Sequence, residues 1–285
     1  MNGRYHSSSH PKRLLIFTRG DYITRRLLGR LLESYPNENI AVVIVTGDSH
    51  GRTGIAMLSA LWKDYPLRFF IFEFGLFLTF KLAQQCFPSK PYSVAAYARS
   101  CQIPVHYVSH VNSAKVATIA KQFVPDLIIS AKCPQRIGNA LLKIAKVGAL
   151  NVHGSLLPRY AGRAPHFWAL SHAEQEIGAT IHRMSEEFDE GKILAAGDIP
   201  TNDLRTLYEA ILKVSDISAD LLVDVVDAID TIRAEPQVKR LRSYFSSPTD
   251  SALARFYANG FKLLSMRHLM STIYNEKKRT NKERW

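Results

Sequence analysis

The sequence predicts an α/β protein, a doubly wound, mostly parallel sheet followed by a mainly helical C-terminal extension. Apolar runs of strand length recur at 13–18, 40–46, 103–108, 126–131 and 148–152. They are continuous rather than alternating, as expected of strands covered on both faces. Helical patterns separate them, and a chain that alternates strand and helix builds a parallel sheet, each helix carrying it back for the next strand. No repeat of fixed period is present.

Residues 13–18 open the sheet, and Gly20-Asp21 turn the chain into a helix over 22–35 with apolar positions at 23, 27, 28, 31 and 32. The strand at 40–46 closes on Gly47-Asp48. Residues 56–100 exceed what a simple crossover needs, and the run from Leu67 to Phe80 is apolar almost all round, interrupted by Glu73 and bounded by Arg68 and Lys81. A membrane span needs about 20 apolar residues, so a buried or interface helix is expected instead. Phe70, Phe74 and Phe77 fall on one stripe, and Phe69, Phe72, Leu76 and Phe80 on another. A surface helix needs one apolar face. One stripe should therefore pack on the sheet domain while the other meets a partner, a homodimer through 61–86 ranking ahead of a membrane surface or an apolar acceptor.

The alternation then resumes with a strand at 103–108, a helix at 113–123, a strand at 126–131, a helix at 137–145 and a strand at 148–152. Further strands are expected at 178–184 and 192–199. A long helix follows over 203–232, with Asp203 as cap and Pro236 beyond its end. Residues 238–245 are short and basic. Ser247-Pro248 then starts a helix, Ser at N-cap and Pro at N1, which stops at Asn259-Gly260.

A chain of 285 residues with 46% hydrophobic content can bury a full core. Cys86, Cys101 and Cys133 are too few, and odd in number, for a disulfide framework, and fit a reducing cytoplasm. Residues 1–11 are polar and rich in Ser and His, so a disordered lead-in without a signal peptide is expected. The formal charge of +12 can steer anions toward the protein or simply solvate its surface. Much of the excess sits in Lys277, Lys278, Arg279, Lys282 and Arg284, which says little about a site, and specific nucleic-acid binding is not expected.

The stretch 148–194 carries the side chains for chemistry. Its first strand breaks at His153-Gly154, a loop punctuated by Pro158, Gly162 and Pro165 follows, and the second strand ends in an acidic turn over 185–191. Asn151 and His153 stand at i and i+2, on one face of their strand. Strand ends that open into irregular loops are where parallel α/β sheets bind ligands. Taken singly, Asn151 reads as a turn residue, His153 as a satisfied core histidine and Asp189 as a loop carboxylate. The chain has no His-Glu-x-x-His, Gly-x-Ser-x-Gly, P-loop or Gly-x-Gly-x-x-Gly motif. His153, His166, His172 and His182 lack ligand spacing and Cys133 has no cysteine nearby, so no metal is expected.

Four linked blocks in this stretch carry a resemblance: Asn151-x-His153-x-Ser155-Leu156-Leu157-Pro158, Gly162-x-x-Pro165, Thr180-Ile181-His182 and Phe188-Asp189-x-Gly191. The chain resembles the folate-dependent formyltransferases, whose members act on methionyl-tRNA, glycinamide ribonucleotide or sugar amines. Weaker similarity runs from about residue 13 to about 205. The resemblance implies a Rossmann-like formyltransferase fold over 12–205, with an aromatic-rich insertion at about 61–100 and a helical extension over 206–285. It implies a formyl group moved from 10-formyltetrahydrofolate to an amine, with Asn151, His153 and Asp189 as catalytic residues. Asn151 and His153 would stabilise the oxyanion of a tetrahedral intermediate while Asp189 tunes His153 and assists proton transfer. Backbone groups around Gln135, Arg136 and Ile137, and from Ser185 to Glu187, would hold the pterin. Ser155 and His182 are candidate substrate contacts, with a turn hydroxyl and a packing histidine as the plain alternatives.

Departures from the family pattern narrow the acceptor. Glu186 stands where Asp is frequent, and Ala161 where a basic residue is frequent, with Arg163 nearby. After the first strand comes Thr18-Arg19-Gly20-Asp21-Tyr22 rather than a Gly-rich phosphate loop, which disfavours glycinamide ribonucleotide. Residues 206–285 read as helical rather than as a C-terminal β-barrel, which disfavours tRNA. The expectation is a small-molecule amine acceptor. Methionyl-tRNA formylation, hydrolysis of the folate and a silent binding protein on the same scaffold are the rivals.

Overall fold

The computed structural model describes residues 12–185 and 187–276. The expected lead-in over 1–11, Glu186 and the basic tail over 277–285 lie outside the described residues. The chain opens with β1 (Leu14–Thr18), α1 (Tyr22–Ser34) and β2 (Ile40–Val45), and then runs through three helices, α2 (Gly54–Asp64), α3 (Leu67–Cys86) and α4 (Val94–Ser100). Next come β3 (Val105–Val108), α5 (Ala114–Phe123), β4 (Leu127–Ala131), α6 (Asn139–Leu142) and β5 (Gly148–His153). The loop that follows holds β6 (Ala161–Gly162) and α7 (Pro165–Ser171), and leads to β7 (Glu176–Arg183) and β8 (Ile193–Pro200). The remainder is α8 (Leu207–Asp227), β9 (Tyr244–Phe245), α9 (Asp250–Ala258) and α10 (Met266–Asn275).

The main sheet has seven strands in the order β3-β2-β1-β4-β5-β7-β8. The first five pair in parallel, while β7 runs antiparallel to β5 and to β8. β1 and β4 are neighbours although the chain visits β2 and β3 between them. The strand order therefore reverses at β1, and a crevice opens there beyond the carboxyl ends of the strands.

Alternate β1 residues face opposite layers. Leu14 and Ile16 pack with Leu28 and Leu31 of α1, with α4, and with Leu222 and Val226 of α8. Leu15 and Phe17 pack with Val116 and Ala120 of α5 and Leu141 of α6. A third apolar cluster joins Phe69 and Phe72 of α3 to Phe167 of α7, Phe256 of α9 and Ile273 of α10. Because α8 forms part of the sheet's covering layer, the boundary drawn at 205 divides the sequence but not the packing.

Several boundaries differ from the expectation for local reasons. The helix at 137–145 is only α6, because Asn112 accepts from the Gly138 N–H at 2.7 Å and donates to the Arg136 carbonyl at 2.9 Å, which holds 135–138 as a loop. The helix at 203–232 starts at Leu207. Thr206 caps it through the Glu209 N–H while Glu209 reaches back to Arg205, and this reciprocal cap outcompetes Asp203. Likewise Thr249 caps α9 through the Ala252 N–H, leaving Ser247-Pro248 outside it. In α3, Phe69, Phe72, Leu76, Phe80 and Ala83 are buried. Phe74 and Phe77 are exposed and Phe70 is half-buried, so the outer apolar surface differs from the aromatic stripe that the Phe spacing marks.

Candidate active site

The pairing of β5 with β7 brings the motif residues together. Asn151 lies directly opposite His182 in the register, and His153 opposite Thr180. The Asn151 Nδ2 group donates to His182 Nε2 at 3.1 Å. An amide nitrogen can only donate, so His182 accepts at Nε2 and carries its proton on Nδ1, where it meets the Arg183 carbonyl at 2.9 Å. His182 is thereby a buried strut that fixes the rotamer of Asn151.

The acidic turn delivers Asp189 to the same spot. Its Oδ1 lies 3.4 Å from Asn151 Nδ2, 3.6 Å from His153 Nδ1 and 3.7 Å from His182 Nε2. Its Oδ2 accepts from the Gly162 N–H at 3.0 Å. Burial alone would push this carboxyl up. His153 beside it, the bond from the Gly162 N–H and the nearby His182 ring outweigh burial and hold it at about 2. His153 donates from Nε2 to the Tyr160 carbonyl at 3.0 Å, which leaves Nδ1 turned toward Asp189 at a distance beyond a hydrogen bond.

Two loop geometries make these contacts possible. Gly162 has φ +96°, and a Cβ there would stand 2.2 Å from the Phe245 carbonyl, so a side chain is excluded by both conformation and space. Lys132, Tyr160, Ala164 and Asp189, all at the site, are non-glycine residues at positive φ. Such backbone strain is stored where the surrounding structure fixes it.

The remaining expected site residues divide into two groups. Arg136 is exposed, and its guanidinium lies 5.4 Å over the ring of Phe188, so the loop after β4 and the acidic turn face each other. Ser185 Oγ donates to the Glu187 carbonyl at 3.0 Å, which shapes that turn. Gln135 is different: its Nε2 donates to the carbonyls of Asp48 and Ser109 at 2.8 Å and its Oε1 accepts from the Val111 N–H at 2.7 Å. With Ile137 also buried, both side chains are framework, and only backbone groups there remain for a ligand. Ser155 is buried, its hydroxyl within 2.8 Å of the Arg159 carbonyl and 3.2 Å of that of Tyr160, so it staples the loop.

Other participants were not legible in the spacing. His166 packs against Gly154, where a Cβ would lie 2.3 Å from its ring. Burial, with Lys132 and His153 adding like charge, lowers its pKa to about 3. Lys132 Nζ pairs with Asp21 at 3.1 Å. Asp21 also caps α1; burial opposes its charge, but Lys132 and Thr24 hold it at about 2. Across the crevice, the exposed Glu73 of α3 lies within electrostatic reach of Lys132 and Arg19. The segment 237–247 braces both loops. Gln237 donates to the Asp189 and Gly191 carbonyls at 2.8 Å, Ser243 Oγ accepts from the Tyr160 N–H at 2.9 Å, and β9 pairs with β6. Their only sequence signal is the placement of Gly162 and Pro165, which marks a loop that needs support.

Residues 85–226 match the family model described as formyl transferase. A methionyl-tRNA formyltransferase from Levilactobacillus brevis is 40% identical over 107 residues, 38% of this chain, and the chain spans 34% of that relative's length. Among solved structures, an N-formyltransferase from Helicobacter canadensis in complex with folinic acid and dTDP-3-aminofucose superposes with a TM-score of 0.55 at 20% identity, covering 82% of this chain and 71% of that one. A 4-N formyltransferase from Francisella tularensis gives a TM-score of 0.55 at 16% identity, covering 90% of each chain. The structures share the fold, and the family match spans the strand pair and both loops that bring Asn151, His153 and Asp189 together. Residues 85–226 thus carry a formyl transferase domain, and the chain resembles the folate-dependent formyltransferases in sequence and fold.

Proposed function

We propose that the chain transfers a formyl group from 10-formyltetrahydrofolate to an amine of a small-molecule acceptor. The observation that supports this most directly is the convergence of the Asn151 amide and the Nδ1 face of His153 on Asp189 at the carboxyl end of β5. The donor would lie between the loop after β4 and the turn before Asp189, where Arg136 and Phe188 offer a cation and an exposed ring. When bound, it supplies a formyl carbon open to attack by an amine.

Each residue then has a separable task. One Asn151 N–H is committed to His182, and the other meets Asp189 only at the long limit of a hydrogen bond, so it can turn to a reacting oxygen. His153 adds the Nδ1–H donor, anchored from behind by the Tyr160 carbonyl. Two fixed donors aimed at developing negative charge supply the stabilisation that matters, about 3–4 kcal/mol for each one lost. Asp189, held at about 2, is a poor proton acceptor. It assists as a counter-charge beside His153 and the attacking nitrogen, whose proton would pass to N10 of tetrahydrofolate as the bond from N10 to the formyl carbon breaks.

The acceptor would enter between α3 and the ends of β1 and β4, where Arg19 and Lys132 stand beside Asp21 and Glu73. Mixed charge suits an acceptor with both anionic and cationic groups, and amino-sugar nucleotides are the first class to try. Labelled formyl-folate incubated with the protein and a metabolite extract should yield one labelled amide. Purified amino-sugar nucleotides and initiator methionyl-tRNA serve as separate arms. Label passing only to tRNA would replace the small-molecule reading, and label passing only to water would replace transfer with hydrolysis.

A further inference from the structure

The helix α3 carries a second apolar stripe opposite its buried one. Leu67, Ile71, Phe74, Leu78 and Leu82 follow the i, i+4, i+7, i+11, i+15 spacing of one helical face, and each is between 37% and 58% exposed. The surface continues onto α2 through Trp62, 56% exposed, whose ring meets Phe70 edge-on at 5.3 Å. At the other end the Phe87 ring meets Tyr274 of α10 at 6.4 Å, and Met270 of that helix is also exposed. A contiguous patch of this kind marks a contact surface.

Its charges indicate what covers it. Lys63, Arg68 and Lys81 are exposed on α2 and α3. Lys81 Nζ sits 5.9 Å over the Phe77 ring, Lys90 Nζ 5.7 Å over Phe87 and the Arg68 guanidinium 5.9 Å over Tyr257, so the charged heads lie over aromatic rings that flank the stripe. The nearby carboxylates are drawn elsewhere, Asp64 toward Arg163 at 3.8 Å, Glu276 toward Arg25 at 3.2 Å and Glu73 toward the crevice. A twofold contact would set this basic rim against its own copy, because both partners present the same patch. Anionic headgroups would neutralise it, with the apolar stripe entering the acyl boundary.

We propose that this face docks on an anionic lipid surface, with α3 lying in the interface plane, rather than on a second copy of the chain. No described helix is long and apolar enough to cross a membrane, which agrees with a helix that lies on one. The docking face stands on the surface alone and does not rest on formyl transfer.

Flotation of the full chain with vesicles of phosphatidylcholine, with and without phosphatidylglycerol, tests it alongside sedimentation velocity. The parent should float with the anionic vesicles, more weakly at high salt. Ile71→Asp/Leu78→Asp should lower partitioning at least tenfold with an unchanged melting temperature, since both positions are already exposed. Lys63→Gln/Lys81→Gln should remove the preference for anionic lipid. A parent that ignores both vesicles overturns the proposal. So does an Ile71→Asp/Leu78→Asp variant that floats as well as the parent, or a parent dimer that this variant splits into monomers.

Discussion

At the scale of single residues, the site is one carboxylate surrounded by donors, and on the proposed function its charge bears on both rate and acid stability. We expect His153→Ala and Asp189→Asn each to lower kcat by roughly 10²–10³-fold with the fold intact, because the charge they manage develops only in the transition state. Steady-state kinetics with circular dichroism check this, and near-normal turnover in either variant would remove the residue from the mechanism. The pKa of Asp189 has a second consequence. A carboxyl depressed to about 2 in the folded chain contributes stability that is whole above the ordinary carboxylate value of about 4, and that is lost as pH falls through about 2. For this side chain, 11% exposed, the linked contribution is on the order of 2–3 kcal/mol. Urea denaturation followed from pH 5 to pH 2 should show a steeper loss in the parent than in Asp189→Asn. Parallel curves would mean that the pairing with His153, His182 and Gly162 does not stabilise the fold.

At the scale of elements, the site depends on loops held from outside. Gly162→Ala would force a Cβ into the Phe245 carbonyl and a residue with a side chain to φ +96°, breaking the β6–β9 pairing and the N–H bond to Asp189. We expect a loss of about 2–4 kcal/mol in urea unfolding, together with a fall in kcat. Gln237→Leu removes the donor from the Asp189 and Gly191 carbonyls. It should cut kcat tenfold or more while moving KM little, the mark of a positioning residue; a change in KM alone would count against that role. These braces show what was legible in the sequence and what was not. Asn151 and His153 could be placed on one strand face from their i, i+2 spacing, and Asp189 joined them through the motif blocks. Their partners could not be placed this way, because Tyr160, Gly162, Gln237 and Ser243 act through backbone groups or across long separations that no local pattern encodes. The same limit explains the outer face of α3. Aromatic spacing drew attention to Phe70, Phe74 and Phe77, while the exposed stripe is mostly aliphatic, through Leu67, Ile71, Leu78 and Leu82.

For the whole molecule, the division at residue 205 has a physical test. Strand and helix patterns place a doubly wound sheet before it and mainly helices after it, and the structure has this arrangement apart from the short strand β9. What the pattern does not carry is which layer each helix serves. Leu222, Val225, Val226 and Ile229 pack with Leu14, Ile16, Leu28 and Leu31, so the segment beyond 205 closes one face of the central sheet. Burying each of these four side chains contributes roughly 1.5–3 kcal/mol, and together they rival the net stability of an ordinary domain, about 5–15 kcal/mol. The segment over 237–247 also secures both loops of the site, so its loss would loosen Asp189 and Tyr160 even if the sheet survived. We therefore expect a fragment of residues 12–205 to give no cooperative thermal transition and to bind a dye for exposed apolar surface. A fragment of residues 12–276 should melt like the parent. If the shorter fragment unfolds cooperatively and keeps its formyl-transfer rate, the helices after 205 are an accessory layer and the chain is built from two separable parts.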